Sequence, residues 1–474
     1  MSPYGRHSLD KGRSFIDDSP ARQCAVARLG PRIVVAGTHS GVGKTTIATG
    51  LMAALAARGL SVRGAKIGPD YLDPTFHALA TDKAPRSLDS FLCGEALIPS
   101  LAACEEGELL VVEGVMGLFD GAGPTGSEHS SAAISRLLSA PVLLVVDAAT
   151  LGTSIAALVH GFSTFDPAVK IAGLILNKVG GDAHGEVLRD ALEPLRIPIL
   201  GMLAQQDAPT TPPRAPGLAR TAERANVARL GALIARSVDL EGVLALANAA
   251  VGLPAAPPPQ PAVAGHVRVA WCDGPAFGFN YPENLQLLEA AGAELMAFDP
   301  LSATKLPEGC RGLYAGGGFA ECRAAELADN VALAADLRRR TQEGLVIWAE
   351  CGGLLWLSDT LGDRPMSGVL SGVHAEMTDQ LTIGYRRATL CQPSFLGPVG
   401  TRLRGHELHY STTTPAGDAL ELVGRFSRAT SGWTGPRVFA SYLHQHLSAT
   451  PTLAERFVAA ASDGPAGRAR GSLS

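Results

Sequence analysis

Short apolar runs that end in glycine or polar residues mark the first half of the chain. The first run, at 32–36, leads into a glycine-rich turn, and apolar positions with helical spacing follow at 48–57. This order of strand, loop and helix begins an α/β unit. Similar runs, each followed by a helical stretch, occupy 109–112, 142–146 and 171–176. Nearly continuous Val, Leu and Ile are typical of strands buried on both faces, so the pattern predicts a parallel sheet.

A proline-rich, uncharged segment at 251–265 interrupts this pattern. Proline cannot continue a helix or a central strand, so the segment is predicted to be a semi-rigid linker. The alternation resumes after it, and the elements predicted there are strands at 267–271, 313–315 and 345–349 and a helix at 283–292. The second half of the chain is therefore also predicted to have an α/β fold.

Two α/β domains are predicted, at 30–250 and 266–462, with a loose leader at 1–29 and a loose tail at 463–474. A length of 474 residues is too great for one ordinary core. The formal net charge of −5 gives no electrostatic reason to expect nucleic-acid or membrane binding. The cysteines form no C-x-x-C pair and the leader has no apolar stretch. We therefore expect a cytoplasmic protein with reduced thiols.

The turn after the first strand resembles a phosphate-binding loop. It has the sequence G-T-H-S-G-V-G-K-T-T at 37–46, a variant of G-x-x-x-x-G-K-[ST] with one extra residue. Such a loop points backbone N–H groups at phosphate oxygens, and the helix that follows adds its positive end. Lys44 is predicted to neutralise the β- and γ-phosphates of ATP, and the Thr45 hydroxyl to bind Mg²⁺. The alternative is a glycine turn that precedes Lys-Thr by chance.

Other residues of the loop and one strand end complete the predicted ATP site. The residues predicted to contact ATP are Thr38, Gly41, Gly43, Lys44, Thr45, Thr46 and Asn177. Asn177 follows the run at 171–176 and is a candidate contact for the adenine. An asparagine that only forms a turn is the alternative at this position.

Two acidic residues at predicted strand ends are candidate Mg²⁺ ligands. Glu113 closes an apolar run, and Asp70 lies in K-I-G-P-D-Y-L-D-P at 66–74. A carboxylate directly after a buried strand lies at the carboxyl edge of the sheet, where open α/β sheets bind ligands. Mg²⁺ prefers such hard oxygen ligands, so these two residues and Thr45 are the predicted metal site. A helix cap or a surface acid is the alternative for each carboxylate. Lys66 is a candidate second cation for the phosphoryl group.

A cysteine in the second half occupies a strand-to-helix turn. The segment L-V-I-W-A-E-C-G-G-L-L-W-L at 345–357 predicts a strand, a sharp turn at Cys351 and a helix. A cysteine at a sheet edge and a helix N-terminus favours the thiolate, so we expect the pKa of Cys351 to lie below the ordinary value of about 8.5. The N–H groups of Gly352 and of Gly317 are the predicted oxyanion hole. An ordinary buried cysteine is the alternative.

A cysteine nucleophile needs a base, and A-S-Y-L-H-Q-H-L at 440–447 contains two candidates. His444 follows a short strand-like run and is the predicted base. His446 is the rival, because two residues on a strand separated by one position share a face. The sequence favours His444 and leaves His446 open.

Five motifs together resemble the cobyrinic acid a,c-diamide synthase family, which includes the hydrogenobyrinic acid a,c-diamide synthases. The motifs are the loop at 37–46, K-I-G-P-D-Y-L-D-P-T-F-H at 66–77, E-G-V-M-G-L-F-D-G at 113–121, A-E-C-G-G-L at 349–354 and R-G-H-E-L-H-Y-S at 404–411. The second and third are specific to this family. The first also resembles dethiobiotin synthetase, and the fourth resembles glutamine amidotransferases in general. The resemblance covers about residues 30–450.

The resemblance implies two fused activities. The first domain would have the phosphate-loop fold of dethiobiotin synthetase, and the second the flavodoxin-like fold of class-I glutamine amidotransferases. ATP with Mg²⁺ would activate the a and c acetate carboxylates of a corrinoid as acyl phosphates, in cobalamin biosynthesis, and L-glutamine would supply the ammonia. Because ammonia must not be lost on the way, an internal passage between the domains is expected.

Site residues of the family can be placed on this sequence only where its motifs match. The implied residues are Cys351 as nucleophile, His444 as its base, Thr45, Asp70 and Glu113 as Mg²⁺ ligands, and Tyr71 and Asp89 near the substrate. Two positions depart from the patterns of relatives. Many triad glutaminases have an acid at the position of His446, and Ala215 stands where a histidine is expected. The first departure implies that another group orients the base, and the second puts one substrate or interdomain contact in doubt.

Three other functions compete with this one. Cobyric acid synthase amidates other side chains of a corrinoid, and an archaeal relative acts on nickel-sirohydrochlorin. A regulatory, partition-type ATPase with a vestigial glutaminase domain would use the same phosphate loop, but it would not need Cys351 and His444. The sequence leaves open whether the corrin carries cobalt, which amide forms first, and the oligomeric state, a homodimer included.

Overall fold

The computed structural model describes residues 27–70, 72–103, 105, 107–122, 127–205 and 220–463. Tyr71, Ala215, the predicted tail beyond Asp463 and most of the predicted leader lie outside these residues. The chain divides into two compact units, an N-terminal unit that ends at Pro258 and a C-terminal unit that begins at Pro259. This division falls inside the segment predicted to be a linker.

A parallel sheet forms the centre of the N-terminal unit. The strands described in this unit are β1 (Ala27–Arg28), β2 (Arg32–Gly37), β3 (Val62–Ile67), β4 (Arg86–Leu88), β5 (Leu109–Glu113), β6 (Val142–Asp147), β7 (Ile171–Val179), β8 (Ile199–Ala204) and β9 (Pro254–Ala255). Seven of these strands form one sheet in the order β4-β3-β5-β2-β6-β7-β8. All of its pairings are parallel, and the side chains of β2 and β5 are completely buried.

Helices follow most of these strands. Those described are α1 (Lys44–Ala57), α2 (Asp73–Thr81), α3 (Ile98–Leu101), α4 (Ser131–Leu137), α5 (Ile155–Phe165), α6 (Asp182–Leu192), α7 (Arg220–Ser237) and α8 (Leu240–Asn248). The register of the central strands aligns their carboxyl ends: Glu113 of β5 is opposite Val35 of β2 on one side and Lys66 of β3 on the other. Side chains from three strands therefore meet at the edge where the loop before α1 lies.

The C-terminal unit contains two sheets. Its described strands are β10 (Val267–Cys272), β11 (Ala293–Phe298), β12 (Gly312–Ala315), β13 (Val346–Glu350), β14 (Ser358–Leu361), β15 (Arg364–Pro365), β16 (Leu370–Leu390), β17 (Arg402–Thr414), β18 (Leu420–Val423), β19 (Arg428–Ser431), β20 (Trp433–Thr434) and β21 (Val438–Ser441). The first sheet has the order β11-β10-β12-β13-β21-β20 and is parallel except for the pair β20–β21. The second contains β15-β14-β16-β18-β19, with β17 paired to β16.

The helices described in this unit are α9 (Pro282–Ala290), α10 (Ala324–Asp329), α11 (Val331–Gln342), α12 (Gly352–Leu357) and α13 (Thr452–Ser462). Apolar side chains from both faces of the first sheet form two buried clusters, one of which includes Cys351. The turn from β13 to α12 and the segment after β21 lie side by side, because Glu350 pairs with Ser441.

The α/β class predicted for both halves is confirmed, and the structure adds features that the pattern did not predict. Part of the predicted linker forms β9, which pairs with β1 at the start of the described chain. The long antiparallel pair β16–β17 was also not predicted. Among the described residues, no helix combines the length and apolar character needed to cross a membrane. The six cysteines described in the structure are free.

Candidate active sites

The loop between β2 and α1 has a shape that requires glycine. Gly41 has φ +81° and Gly43 has φ +102°, both in the left-handed region that glycine enters without steric cost. A Cβ on Gly43 would lie 2.4 Å from Nδ2 of Asn177. Helix α1 begins at Lys44, directly after this turn, so the N–H groups of its first turn face the loop. Thr45 and Thr46 belong to that first turn, and Thr38 lies at the other end of the loop.

Asn177 supports this loop. Its Nδ2 donates a hydrogen bond to the carbonyl of Val42 at 2.8 Å, and its side chain is buried. Its Oδ1 accepts the N–H of Lys178 at 3.0 Å. The amide thus has a partner in the loop itself, a function that differs from both the adenine contact and the simple turn considered from the sequence. The adenine contact stays a prediction.

Lys44, which is predicted to contact the phosphates, lies over the loop. Lys44 Nζ donates to the carbonyl of His39 at 3.0 Å. Burial and the neighbouring charge of Lys66 lower the pKa of Lys44 to about 8. An anion bound in the loop would oppose both effects, because it favours the charged ammonium.

Glu113 is the centre of a buried polar network at the end of β5. Its Oε1 accepts hydrogen bonds from Thr45 Oγ1 at 2.7 Å and from Lys66 Nζ at 2.8 Å. Its Oε2 lies 2.6 Å from Nε2 of His77. Burial alone would raise the pKa of Glu113, but Lys66 and His77 outweigh it and hold that pKa below its ordinary value. Glu113 is therefore an ionised carboxylate without access to water.

Asp73 and His77 belong to this network and were not identified from the sequence. Asp73 is the buried first residue of α2, and its Oδ2 lies 2.7 Å from Lys66 Nζ. His77 lies one turn later, so the two side chains project from the same face of the helix. Burial and the charge of Glu113 raise the pKa of Asp73. The carboxylates in turn raise the pKa of Lys66, against the effect of burial. The four-residue spacing in D-P-T-F-H was the available signal.

Asp70 has a different position from that of Glu113. It is half-buried, and its Oδ1 accepts the N–H groups of Leu72 at 3.0 Å and Asp73 at 3.3 Å. These two bonds hold the turn that leads into α2. Its charge still acts on Lys66 and Asp73. Its function as a metal ligand remains a prediction.

The donor groups of the predicted metal site are suited to Mg²⁺. Thr45 and Glu113 place a hydroxyl and a carboxylate oxygen 2.7 Å apart beside the loop, and hard oxygens of this kind suit Mg²⁺. Within the described residues, no group of three or more His, Cys, Asp or Glu side chains is arranged to hold a metal by itself. The site therefore fits a magnesium ion that keeps water or phosphate among its ligands.

The residues predicted to contact the substrate near this site are Lys66, Tyr71 and Asp89. Asp89 is buried after β4, and its Oδ1 accepts the N–H groups of Phe91 and Leu92, both at 2.9 Å. These bonds hold a turn. Tyr71 lies outside the described residues, and Lys66 belongs to the network around Glu113. Contacts of these three residues with a substrate remain predictions.

In the C-terminal unit, Cys351 lies on a strained turn between β13 and α12. Its backbone has φ +47° and ψ −103°, values that cost a non-glycine residue about 1–3 kcal/mol and recur at functional sites. Its N–H donates to the carbonyl of Ser441 at 2.8 Å. A Cβ on Gly353 would lie 2.2 Å from the carbonyl oxygen of Ala315, so the helix begins in close contact with β12.

The expected low pKa of the Cys351 thiol is wrong for this structure. Burial and the charge of Glu321 raise the pKa of Cys351, and the N–H of Gly352 only partly opposes them. The side chain is 6% exposed, and helix α12 has only six residues, too few for a strong terminal dipole. The sulfur lies 3.8 Å from the carbonyl oxygen of Leu408 on β17. The resting group is therefore a thiol.

The two candidate bases have different surroundings. His444 lies at 4.3 Å from the ring of Phe279, and a Cβ on Gly317 would lie 2.1 Å from its Cε1. Its backbone N–H and carbonyl pair with those of His406, each at 2.9 Å. Burial, His406 and His409 lower the pKa of His444 well below its ordinary value. The imidazole is thus neutral and able to accept a proton.

His446 faces other residues. Its Nδ1 accepts the N–H of Ser448 at 3.4 Å, and its ring lies 4.7 Å from that of Tyr281. Its Nε2 lies 3.7 Å from Oε2 of Glu283 on α9. His444, by contrast, packs against Gly317, whose neighbour Gly318 lies next to Gly352. This favours His444 as the base.

The predicted oxyanion hole lies between the cysteine turn and this imidazole. A Cβ on Gly352 would lie 3.3 Å from the backbone nitrogen of Gly318, and Gly317 is the residue against which His444 packs. The backbone at 317–318 therefore borders both Gly352 and His444. The assignment of its N–H groups to an oxyanion remains a prediction.

Comparisons with known proteins match both halves of the chain. Residues 33–212 match the CobQ/CobB/MinD/ParA nucleotide binding domain, and residues 268–452 match the CobB/CobQ-like glutamine amidotransferase domain. The fold and these domains define a glutamine amidotransferase joined to a nucleotide-binding domain.

Similarity to individual proteins is more specific. A hydrogenobyrinate a,c-diamide synthase of Streptomyces coelicolor is 44% identical over 471 residues, which cover 90% of this chain and 97% of that protein. A cobyrinate a,c-diamide synthase of Synechococcus is 40% identical and covers 90% and 98%. One from Salmonella typhimurium is 40% identical and covers 90% and 97%. The chain belongs to the family of hydrogenobyrinate and cobyrinate a,c-diamide synthases.

Proposed function

We propose that this chain uses ATP and L-glutamine to amidate the a and c acetate carboxylates of a corrinoid, hydrogenobyrinic or cobyrinic acid. The observation that carries the proposal is the presence of two candidate sites in one chain of this family. One site joins the phosphate loop to Glu113 and Lys66. The other presents Cys351 on a turn followed by Gly352 and Gly353, next to the backbone at 317–318 against which His444 packs. Relatives named for both corrinoids support this substrate class.

The N-terminal unit activates the carboxylate. An acetate oxygen of the corrinoid attacks the γ-phosphorus of ATP, ADP leaves, and an acyl phosphate forms. Lys44 and Lys66 neutralise charge on the phosphoryl oxygens during this transfer. Thr45, Glu113 and Asp70 would hold Mg²⁺, which supplies further charge neutralisation when bound. Without activation the reaction fails, because an oxide is too poor a leaving group for ammonia to displace.

The C-terminal unit releases ammonia from glutamine. His444 accepts the Cys351 proton as the sulfur attacks the side-chain amide carbon, so charge separation occurs only in the reacting complex. The N–H groups of Gly317 and Gly352 bind the oxyanion. The imidazolium returns its proton to the departing nitrogen, and water then hydrolyses the thioester to glutamate. This order fits a buried thiol and a neutral imidazole.

Ammonia completes the reaction in the N-terminal unit. Its nitrogen attacks the acyl carbon, phosphate leaves, and the amide forms after loss of a proton. One ATP and one glutamine are used for each amide, so two of each are used per a,c-diamide. Unprotonated ammonia is required, because the ammonium ion has no lone pair with which to attack.

Replacing glutamine with ammonia tests whether the N-terminal unit activates the carboxylate and the C-terminal unit releases ammonia. Cys351→Ser should abolish amidation with glutamine and retain it with high concentrations of ammonium salt, measured by mass spectrometry of the corrinoid. Lys44→Ala should stop amidation with both nitrogen sources. The exposed Cys391 of the same unit provides the control, since Cys391→Ser should retain both activities. Glutamine use by Cys351→Ser protein would disprove the nucleophile.

Assays with different compounds test which corrinoid is the substrate. Hydrogenobyrinic acid, cobyrinic acid and nickel-sirohydrochlorin should be supplied separately, and the number of added amides counted by mass. Two amides on either of the first two acids support the proposal. Four amides on a corrinoid a,c-diamide would instead indicate a cobyric acid synthase, and ATP hydrolysis without any amide would indicate a regulatory ATPase.

A further inference from the structure

The glutaminase site lacks an acid at the position where many triad glutaminases have one. That position is two residues after His444 and is occupied by His446. A neutral imidazole that accepts a proton from sulfur becomes a cation in a buried site. A nearby carboxylate stabilises that cation and fixes the tautomer of the ring. Among the described residues, two buried carboxyl groups, those of Glu350 and Glu283, lie close to these histidines.

Glu350 is the described carboxyl group that lies beside His444. It is the last residue of β13, directly before Cys351, and its Oε2 lies 3.8 Å from Nδ1 of His444. Each of the two side chains is 3% exposed. Within the described part of the chain, His444 Nδ1 and Glu350 Oε1 are both buried without a hydrogen-bond partner. Catalytic hydrogen bonds are often long in the absence of substrate, so the 3.8 Å between Nδ1 and Oε2 is compatible with a bond that forms in the reacting complex.

Glu283 is the other carboxyl group, and it faces the other histidine. Its Oε2 lies 3.7 Å from Nε2 of His446. Since Nδ1 of His446 accepts the N–H of Ser448, this ring is held between α9 and the turn after it. The structure therefore forms two separate pairs, Glu350 with His444 and Glu283 with His446.

We propose that Glu350 is the positioning residue for His444 and replaces the missing acid of the triad. This proposal deepens the proposed glutaminase function and rests on it. The carboxylate of Glu350 accepts a hydrogen bond from Nδ1–H of His444, so Nε2 is left to accept the proton of Cys351. The carboxylate then stabilises the imidazolium. Because β13 continues directly into the cysteine turn, one strand end fixes both the nucleophile and the orienter of its base.

The ionisation of Glu350 is sensitive to a neighbouring cation. Burial raises the pKa of Glu350 to about 8, so a cation beside it has a large effect on its ionisation. The other titratable groups that act on this cluster are Tyr314, Glu321, His406, Glu407 and His409. Glu407 is paired with Arg386 at 2.7 Å. No described cation is paired with Glu350 itself.

Two variants of Glu350 and one matched control test the proposal. Glutaminase kcat and KM should be measured from pH 6 to pH 9.5 for Glu350→Gln, Glu350→Asp and Glu283→Gln. Glu350→Gln should lower kcat at least about 100-fold with little change in KM, since a misoriented tautomer affects the reaction and not binding. The increase of wild-type kcat as the pH rises through about 8 should be absent. Glu350→Asp should recover part of kcat and the pH dependence, and Glu283→Gln should remain near wild type.

Two results would overturn the proposal. One is a wild-type kcat and pH profile for Glu350→Gln, and the other is an equal loss in Glu283→Gln, which would indicate a general effect of removing a buried carboxyl. Ammonia-dependent amidation reports that each variant is folded. If Glu350→Gln does not fold, the kcat and pH profile of Glu350→Asp test the proposal instead. Cys351→Ser, assayed in parallel, distinguishes failure of the positioning proposal from failure of the proposed function. If it loses glutamine use while Glu350→Gln keeps it, only the positioning proposal fails; if it keeps glutamine use, the proposed function fails.

Discussion

The contact between Gly317 and His444 gives a sharp test of the base. Gly317 is absent from the residues with positive φ, so its backbone accepts alanine without strain. The added Cβ, however, would lie 2.1 Å from Cε1 and 2.9 Å from Nδ1 of His444. An optimal carbon–carbon contact is about 3.5 Å, so the ring must move by about 1.4 Å. The ring of Phe279, 4.3 Å away, restricts where it can move.

A displacement of this size should have a large effect on catalysis. A misplacement of about 1 Å in a catalytic group can cost about 100-fold in rate, or about 2.7 kcal/mol of transition-state stabilisation. Gly317→Ala should therefore lower glutaminase kcat about 100-fold, in an assay of glutamate release, and preserve ammonia-dependent amidation. Gly435→Ala is the control, because a Cβ there meets nothing within 4 Å. If Gly317→Ala has wild-type kcat, His444 does not act from this position.

Three further predictions concern buried polar groups. Asn177→Ala leaves the Val42 carbonyl without its donor, which should destabilise the loop by about 1–3 kcal/mol and raise the KM for ATP, with unchanged glutaminase activity as the control. Glu113→Gln removes the main anion beside Lys66, so amidation with either nitrogen source should fall and urea unfolding should show a loss of about 3 kcal/mol. Glu350→Gln removes a carboxyl whose pKa rises from 4.5 to about 8 on folding; thermal unfolding should show the variant to be more stable than wild type by up to about 4 kcal/mol at pH 9 and little changed at pH 5. Equal stability at pH 9 would contradict the raised pKa.

The sequence predicted those elements that can be recognised from a short stretch of residues. The run at 142–146 is apolar throughout because both faces of β6 are buried, and the turn at Cys351 was visible from its strand and two glycines. The phosphate loop was recognised although it has one residue more than the usual motif, because glycine positions and Lys44 are sufficient to indicate it.

Contacts between distant segments could not be predicted in the same way. The pairing of β9 with β1 joins residues at opposite ends of the N-terminal unit, and nothing in a proline-rich segment indicates it. Asp73 and His77 were contained in a recognised motif, but their function depends on Lys66 and Glu113, which come from other elements. The thiol pKa was predicted with the wrong sign because a sequence shows the helix start and not the depth of burial.

Glu113 and Glu350 show how the surroundings of a buried strand-end carboxyl determine its charge. Both are nearly inaccessible to water at the carboxyl ends of parallel strands, so burial alone favours the neutral form of each. Lys66 and His77 reverse this for Glu113, whose lowered pKa adds stability above its ordinary pKa that is lost only as the pH falls through the folded value. Glu350 has no such cation, so its neutral form adds stability below pH 4.5 that is lost as the pH rises through about 8. A glutamate held against a permanent cation provides a fixed charge for phosphate chemistry, whereas one left without a cation can respond to the transient imidazolium of a proton-transfer cycle.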